Sequence, residues 1–171
     1  MANVGISISE AENYYKQGLE TVRKYNNSRD KVLLTTALVN FNRANNGFQK
    51  LSPNPWIAIA NCKVLRDDHG DVESAISDLE TAIRIEEIAK RNNPKALLSL
   101  KLALERMGVK IESIKSYDEA HLCLGKFYCE RPQPNYERAK YHLEKASNSE
   151  IIEIRLNAGN LLATNNLISL F

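Results

Sequence analysis

One helical spacing occurs three times in this chain and constrains its fold more than any other feature: Ala37-Phe41-Ala44, Ala75-Leu79-Ala82 and Ala139-Leu143-Ala146. Each is a small residue, then a large apolar one four positions on, then a small one three further. On an α-helix these positions make one stripe, with small side chains where a second helix must come close. The second and third copies begin 64 residues apart, two periods of 32, and the first two begin 38 apart. Recurrence in that range marks stacked helix pairs. No stretch alternates apolar and polar residues for long enough to make a half-buried strand. The expectation is an all-α chain.

Size and composition agree. With 171 residues, 43% hydrophobic and 26% charged, and only 7 Gly and 5 Pro, the chain is expected to be a single helical domain over 1–171. No apolar run approaches the roughly 20 residues that span a bilayer. Met1 to Ser9 lacks the basic-then-apolar order of a secretory signal. A soluble, cytoplasmic protein with no membrane contact is therefore expected. Cys62, Cys123 and Cys129 are odd in number and form no Cys-x-x-Cys pair. They read as small apolar residues of a reducing compartment, with no disulfide and no zinc site.

Helix starts are legible from capping chemistry. Ser9 with Glu12, and Ser116 with Glu119, have capping-box spacing. Ser52-Pro53 and Asn93-Pro94 place a capping side chain before a proline whose missing N–H costs nothing in the first turn. Asp71 after Gly70, Asn135 after Pro134, and Ser147 with Glu150 open the remaining helices. About eight helices follow, near 8–25, 29–48, 53–67, 71–91, 94–107, 116–130, 135–147 and 149–169. Short connections make neighbours antiparallel. Gly18, Ala60 and Gly125 stand among large residues in the first helix of each clear pair and should face the second helix of that pair.

Ala120-x-x-x-Leu124-Gly125-x-x-Tyr128 followed by Asn135-Tyr136-Glu137-Arg138-Ala139-x-x-x-Leu143-x-x-Ala146 resembles a tetratricopeptide repeat. Trp56 and Ala60 with Gly70-Asp71-Val72-Glu73-Ser74-Ala75-x-x-x-Leu79-x-x-Ala82 resemble a second, and Ala11 to Ala44 a third. The turn Arg131–Pro134 and the span Trp56–Gly70 are longer than the family pattern, and 92–116 fits no repeat apart from the stripe Ala96-Leu100-Ala103. The resemblance implies a right-handed superhelical array of antiparallel helix hairpins, a TPR-like α-solenoid. Its hairpins would lie near 8–48, 53–91, 94–130 (irregular, with a loop at Val109–Lys115) and 116–147, with a capping helix at 149–170. It also implies a groove, built by first helices, that binds a peptide or protein segment. In that register Asn13, Gln17, Asn61, Lys63, Arg66 and Lys126 are the partner-binding candidates, with Glu130 beside them. The family's lysine and asparagine clamp for a terminal carboxylate has no match here, because Tyr15 and Leu19 occupy its place in the first helix.

Chemistry finds little foothold. No catalytic residue, cofactor or metal site is expected: Gly125-Lys126 lacks the rest of a phosphate loop, and the adjacent carboxylates Asp67-Asp68, Glu86-Glu87 and Asp118-Glu119 read as solvated surface. The hairpin register brings His142 towards His121, with Cys129 as a third metal ligand if a metal were held there; an enzyme site near His121 and His142 is a further alternative. Tyr14, Tyr15, Tyr25, Phe41, Phe48 and Trp56 read as a packed seam between the first two hairpins.

The preferred reading is a non-catalytic adaptor or scaffold, chaperone-like or effector in character, whose partner is a protein or peptide. From Lys31 to Arg66 there is no acidic residue, while Lys31, Arg43, Lys50, Lys63 and Arg66 are basic. That bias points to an acidic partner, and reversing Lys63 and Arg66 to glutamate should then weaken capture without moving the melting temperature. Nucleic-acid binding through 31–66 is the alternative, although a net charge of +2 does not demand it. Finally, Leu161-Leu162-Ala163 and Leu167 to Phe171 put apolar residues on more than one face of the last helix. The tail therefore folds back into the groove, docks on a partner or, in the preferred reading, pairs two copies as a homodimer through that helix.

Overall fold

The computed structural model describes residues 6–48, 50, 52–92 and 116–167, and every regular element among them is an α-helix. The chain divides into two compact units, Met1–Lys115 and Ser116–Phe171. The first holds α1 (Ile8–Ser28), α2 (Lys31–Gly47), α3 (Pro53–Arg66) and α4 (Asp71–Asn92); the second holds α5 (Tyr117–Glu130), α6 (Tyr136–Ser147) and α7 (Ile152–Thr164). These are seven helices among the described residues; the helix expected near 94–107 and the loop at 109–115 lie outside them, as do residues 168–171.

All nine residues of the three recurring stripes are buried. In the first unit, α2 packs on both α1 and α3. Its Leu34, Ala37, Leu38 and Phe41 form one core with Tyr25 of α1 and Ile59 and Cys62 of α3. Gly18 faces the second helix as expected: a Cβ there would collide with the Phe41 ring. Tyr25, Phe41, Phe48 and Trp56 are buried; Tyr25 and Phe41 share a core with Ile59 and Cys62 of α3, as the expected seam requires, whereas Phe48 packs with Ala11 and Ala44 inside the first hairpin. Tyr15 packs on Phe41 with ring centroids 5.6 Å apart, and the Trp56 indole N–H donates to the Lys50 carbonyl at 3.1 Å.

In the second unit, α6 packs on both α5 and α7, and α5 also touches α7. Leu143 and Ala146 of α6 pack with Ile154, Ala158 and Leu162 of α7. Gly125 of α5 brings its helix so close that an added Cβ would lie 2.5 Å from Leu143 Cγ and 3.3 Å from the Ala139 carbonyl.

Four helix starts differ from expectation. Ser52 stands at the N-cap of α3 with a proline in the first turn, but its side chain makes no capping hydrogen bond. The first capping box is Ser7 with Glu10, not Ser9 with Glu12: Glu10 N–H donates to Ser7 Oγ at 3.3 Å and Ser7 N–H to Glu10 Oε2 at 2.8 Å. Both pairs have the spacing, and the earlier one adds a turn's start to the helix. Ser116 caps α5 by accepting from Asp118 N–H at 3.0 Å, so the N2 donor takes the hydroxyl that the box would have given to Glu119. Ser147 does not open the last helix but ends α6, because α7 starts only at Ile152 after an uncapped Ile151. Ser149 instead accepts from Ile151 N–H at 3.2 Å and donates to Asp118 Oδ2 at 2.7 Å, tying this turn to the start of α5.

The late apolar residues are also redistributed. Leu162 is buried, and Leu161 and Leu167 pack partly buried against the core of the second unit. Among the described residues of this region, the large exposed apolar side chains lie earlier, at Ile151, Ile152 and Leu156. No helix among the described residues is long and apolar enough to cross a membrane.

Candidate functional site

The six expected partner-binding residues separate into two groups. Asn13 and Gln17, one turn apart on α1, are exposed, as are Asn61 on α3 and Lys126 on α5. Lys126 stands 4.0 Å from Glu130, an i,i+4 pair on an open helix face. Such a pair carries little energy and leaves the ammonium available to a ligand.

Lys63 and Arg66 are placed differently. They sit one turn apart at the end of α3, against the start of α4, where Asp71, Ser74 and Asp78 fall on the face that also carries the buried Ala75. Arg66 is forked on Asp71, with Nε donating to Oδ2 at 2.9 Å and Nη2 to Oδ1 at 2.7 Å; Asp68 Oδ2 lies 3.1 Å from Nε. Asp71 also accepts from the Asp68 N–H at 3.1 Å. The Arg66 hydrogen bonds hold the Asp71 carboxyl below its ordinary value, and Asp71 in turn raises the guanidinium. Lys63 donates to Ser74 Oγ at 2.8 Å and pairs with Asp78. Lys31 turns its ammonium onto the Arg66 carbonyl, and Arg43 lies over the Tyr14 ring at 5.2 Å. The acid-free stretch is therefore matched by carboxylates just beyond it, on the next helix.

That geometry changes the expected result of reversing Lys63 and Arg66. Arg66→Ala leaves a carboxylate that is only 7% exposed without its cation. Stability should fall by about 1.5–3 kcal/mol, the usual worth of hydrogen bonds to a charged group. Lys63→Ala should cost less, because Asp78 keeps more contact with water. Urea unfolding of the two variants checks the order, and an Arg66→Ala protein as stable as the parent would contradict it. The signal was present in sequence: Asp71, Ser74 and Asp78 recur at helical spacing, a polar stripe facing Lys63 and Arg66.

The two histidines of the last hairpin do meet. His121 Nδ1 and His142 Nδ1 are 2.9 Å apart, so one ring donates and the other accepts. His142 is stacked on Tyr128, with centroids 5.9 Å apart and planes within 9°, and Tyr141 stands edge-on to it at 5.1 Å. Arg138 donates from Nη1 to the Tyr128 hydroxyl at 2.8 Å, and its guanidinium lies over that ring. Burial, His121 and Arg138 together lower the His142 pKa from 6.5 to about 4. Sequence spacing anticipated the approach of the histidines; Tyr128, seven residues from His121 on one helix face, was the missed signal for the rest of the cluster. Among the described residues no group of three His, Cys, Asp or Glu side chains is arranged to hold a metal ion, and Cys129 packs instead with the apolar core of its unit.

The thiols are correspondingly quiet. Cys62 is buried between α2 and α3, and desolvation pushes it up to about 12 against the opposing charge of Arg66. Burial also raises Cys129, with a smaller contribution from Glu130. Both stay protonated at neutral pH, the unreactive form for nucleophilic attack or metal binding. No family model, no curated protein and no solved structure matches the chain.

Proposed function

We propose that this chain is a non-catalytic adaptor, built of tetratricopeptide-like hairpins in a right-handed superhelical array, that holds a peptide or protein segment on the first helix of each hairpin. One observation carries the reading. The stripes of α2, α4 and α6 are wholly used in packing within the chain, whereas α1, α3 and α5 keep Asn13, Gln17, Asn61 and Lys126 in solvent. Exposed amides on α1 and α3, and an exposed ammonium on α5, suit the backbone and carboxylates of an extended segment, with little ordering cost on the side of each helix pair. Lys63 and Arg66 serve this surface indirectly, by fixing α3 on α4.

Capture of the binding partner from the native host, followed by mass spectrometry, gives the material for the test. Asn13→Ala with Gln17→Ala, and separately Asn61→Ala with Lys126→Glu, should reduce capture while stability stays within about 0.5 kcal/mol, as for surface changes in general. Undiminished capture by both double variants would remove the first helices from the interface. If nucleic acid is captured instead, with affinity falling steeply as salt rises, the basic stretch is the binding element and the adaptor reading fails.

A further inference from the structure

We propose that the solvent face of α7 is a homodimer interface, in which α7 of one protomer lies antiparallel against α7 of a second copy. This surface is separate from the first-helix face argued above. Helix α7 has two apolar stripes on opposite sides. Ile154, Ala158 and Leu162 are buried and packed with Leu143 and Ala146. Ile152, Leu156, Gly159 and Ala163, at i, i+4, i+7 and i+11, form the other stripe. On that side Ile152 is 62% exposed and Leu156 59%.

Gly159 gives the face its specificity. Gly18 and Gly125 are each filled by a large side chain of the adjacent helix, Phe41 and Leu143, whereas among the described residues a Cβ on Gly159 would meet nothing within 4 Å. The stripe therefore presents two large residues followed by two small ones, with open space over the glycine. Such an order is complementary to itself when reversed. A two-fold axis midway between Leu156 and Gly159 brings Leu156 onto Gly159 of the partner subunit, and Ile152 onto Ala163 of the partner subunit. Every contact along the seam is then large on small, the condition for close helix approach and an isologous interface. A parallel pairing would instead set leucine on leucine and leave a gap at the paired glycines.

The flanking charges permit this arrangement. Arg155 is turned back along the helix, its Nη1 donating to the Ser149 carbonyl at 3.2 Å, away from the proposed axis. Glu153 comes near the level of Asn160 of the partner subunit, whose amide can donate to it. Large apolar side chains left this open on one helix face are what a self-associating surface presents. A single helix pair is at the small end of stable interfaces, so the dimer should dissociate on dilution.

Sedimentation of the full chain over a wide concentration range provides the test. The weight-average mass should rise from the 19.3 kDa of the monomer towards twice that value. Leu156→Glu should abolish the concentration dependence without lowering the melting temperature, since the side chain is mostly in water. Gly159→Leu should do the same by placing large on large, again without loss of fold. The exchanged variant, Leu156→Ala with Gly159→Leu, restores large on small in the reversed order and should regain dimer. A monomer at every concentration would overturn the proposal, as would a dimer that survives Leu156→Glu. Failure of the exchanged variant to dimerise, or persistence of the dimer in Gly159→Leu, would overturn the antiparallel register.

Discussion

Acidification from pH 7 to pH 4 is expected to remove about 3 kcal/mol of stability through His142 alone. The cause is geometric. His142 is 8% exposed, shares its Nδ1 with His121 at 2.9 Å, and faces Arg138 from its own helix. Protonating it would place a charge out of water, in a site walled by Tyr128 and Tyr141 and close to His121 and the Arg138 guanidinium. Its pKa is therefore lowered, to about 4 from 6.5 in the unfolded chain. Above pH 6.5 the ring is neutral in both states and this contribution is fully present. As pH falls below that value the unfolded chain takes up the proton first, and stability drains until the folded ring also titrates near 4. The interval corresponds to about 3 kcal/mol at 1.36 kcal/mol for each pH unit. Thermal unfolding of the parent and of His142→Phe, at intervals between pH 7 and pH 4, isolates the effect. The parent should lose stability more steeply than the variant; parallel curves would show that the histidine contact does not control it.

Gly125→Leu should also be severe, at about 1–3 kcal/mol or more, the range for overpacking a closed core. The Cβ alone would lie 2.5 Å from Leu143, which is completely buried and is held by α7 on its other side. Leu143 cannot retreat without disturbing Ile154 and Ala158, so the cost spreads to two helix contacts. Gly159→Ala is the matching control. Among the described residues no atom lies within 4 Å of its Cβ, and replacing glycine inside a helix should add about 0.8–1 kcal/mol. Opposite signs at two helical glycines of one unit, read by denaturant unfolding, would establish that contact geometry rather than glycine itself sets the outcome. A neutral Gly125→Leu would mean that α5 and α6 are not in close contact there.

Much of this was legible because helix packing is a periodic problem. The stripes at 37–44, 75–82 and 139–146 identified the buried faces, since small residues at that spacing have no better use than helix contact. Prolines and short polar side chains marked most boundaries, because orphan N–H groups restrict what can begin a helix. The failures were local competitions. Ser7 and Ser9 offered the same capping chemistry, and only the folded chain selected one; Ser149 was drawn into a bond with Asp118, far away in sequence. The partner-binding candidates divided for a similar reason. Spacing placed Lys63 and Arg66 on α3, but the polarity of their surroundings depended on which face of α4 met them.

The sequence by itself determined that the described chain is all helix, which residues are interior on α2, α4 and α6, and that Gly18 and Gly125 are close-contact positions. Each of these follows from chemistry within one helix, where a residue and its neighbours three and four positions away share a face. Tertiary structure alone decided the disposition of charge and of the remaining apolar surface. It committed Lys63 and Arg66 to Asp78 and Asp71, joined His121 to His142 at hydrogen-bond distance, and left Ile152, Leu156 and Gly159 uncovered on α7. Those outcomes depend on which helix lies against which; helical spacing marks faces that can meet, such as Asp71, Ser74 and Asp78, but not which faces do meet.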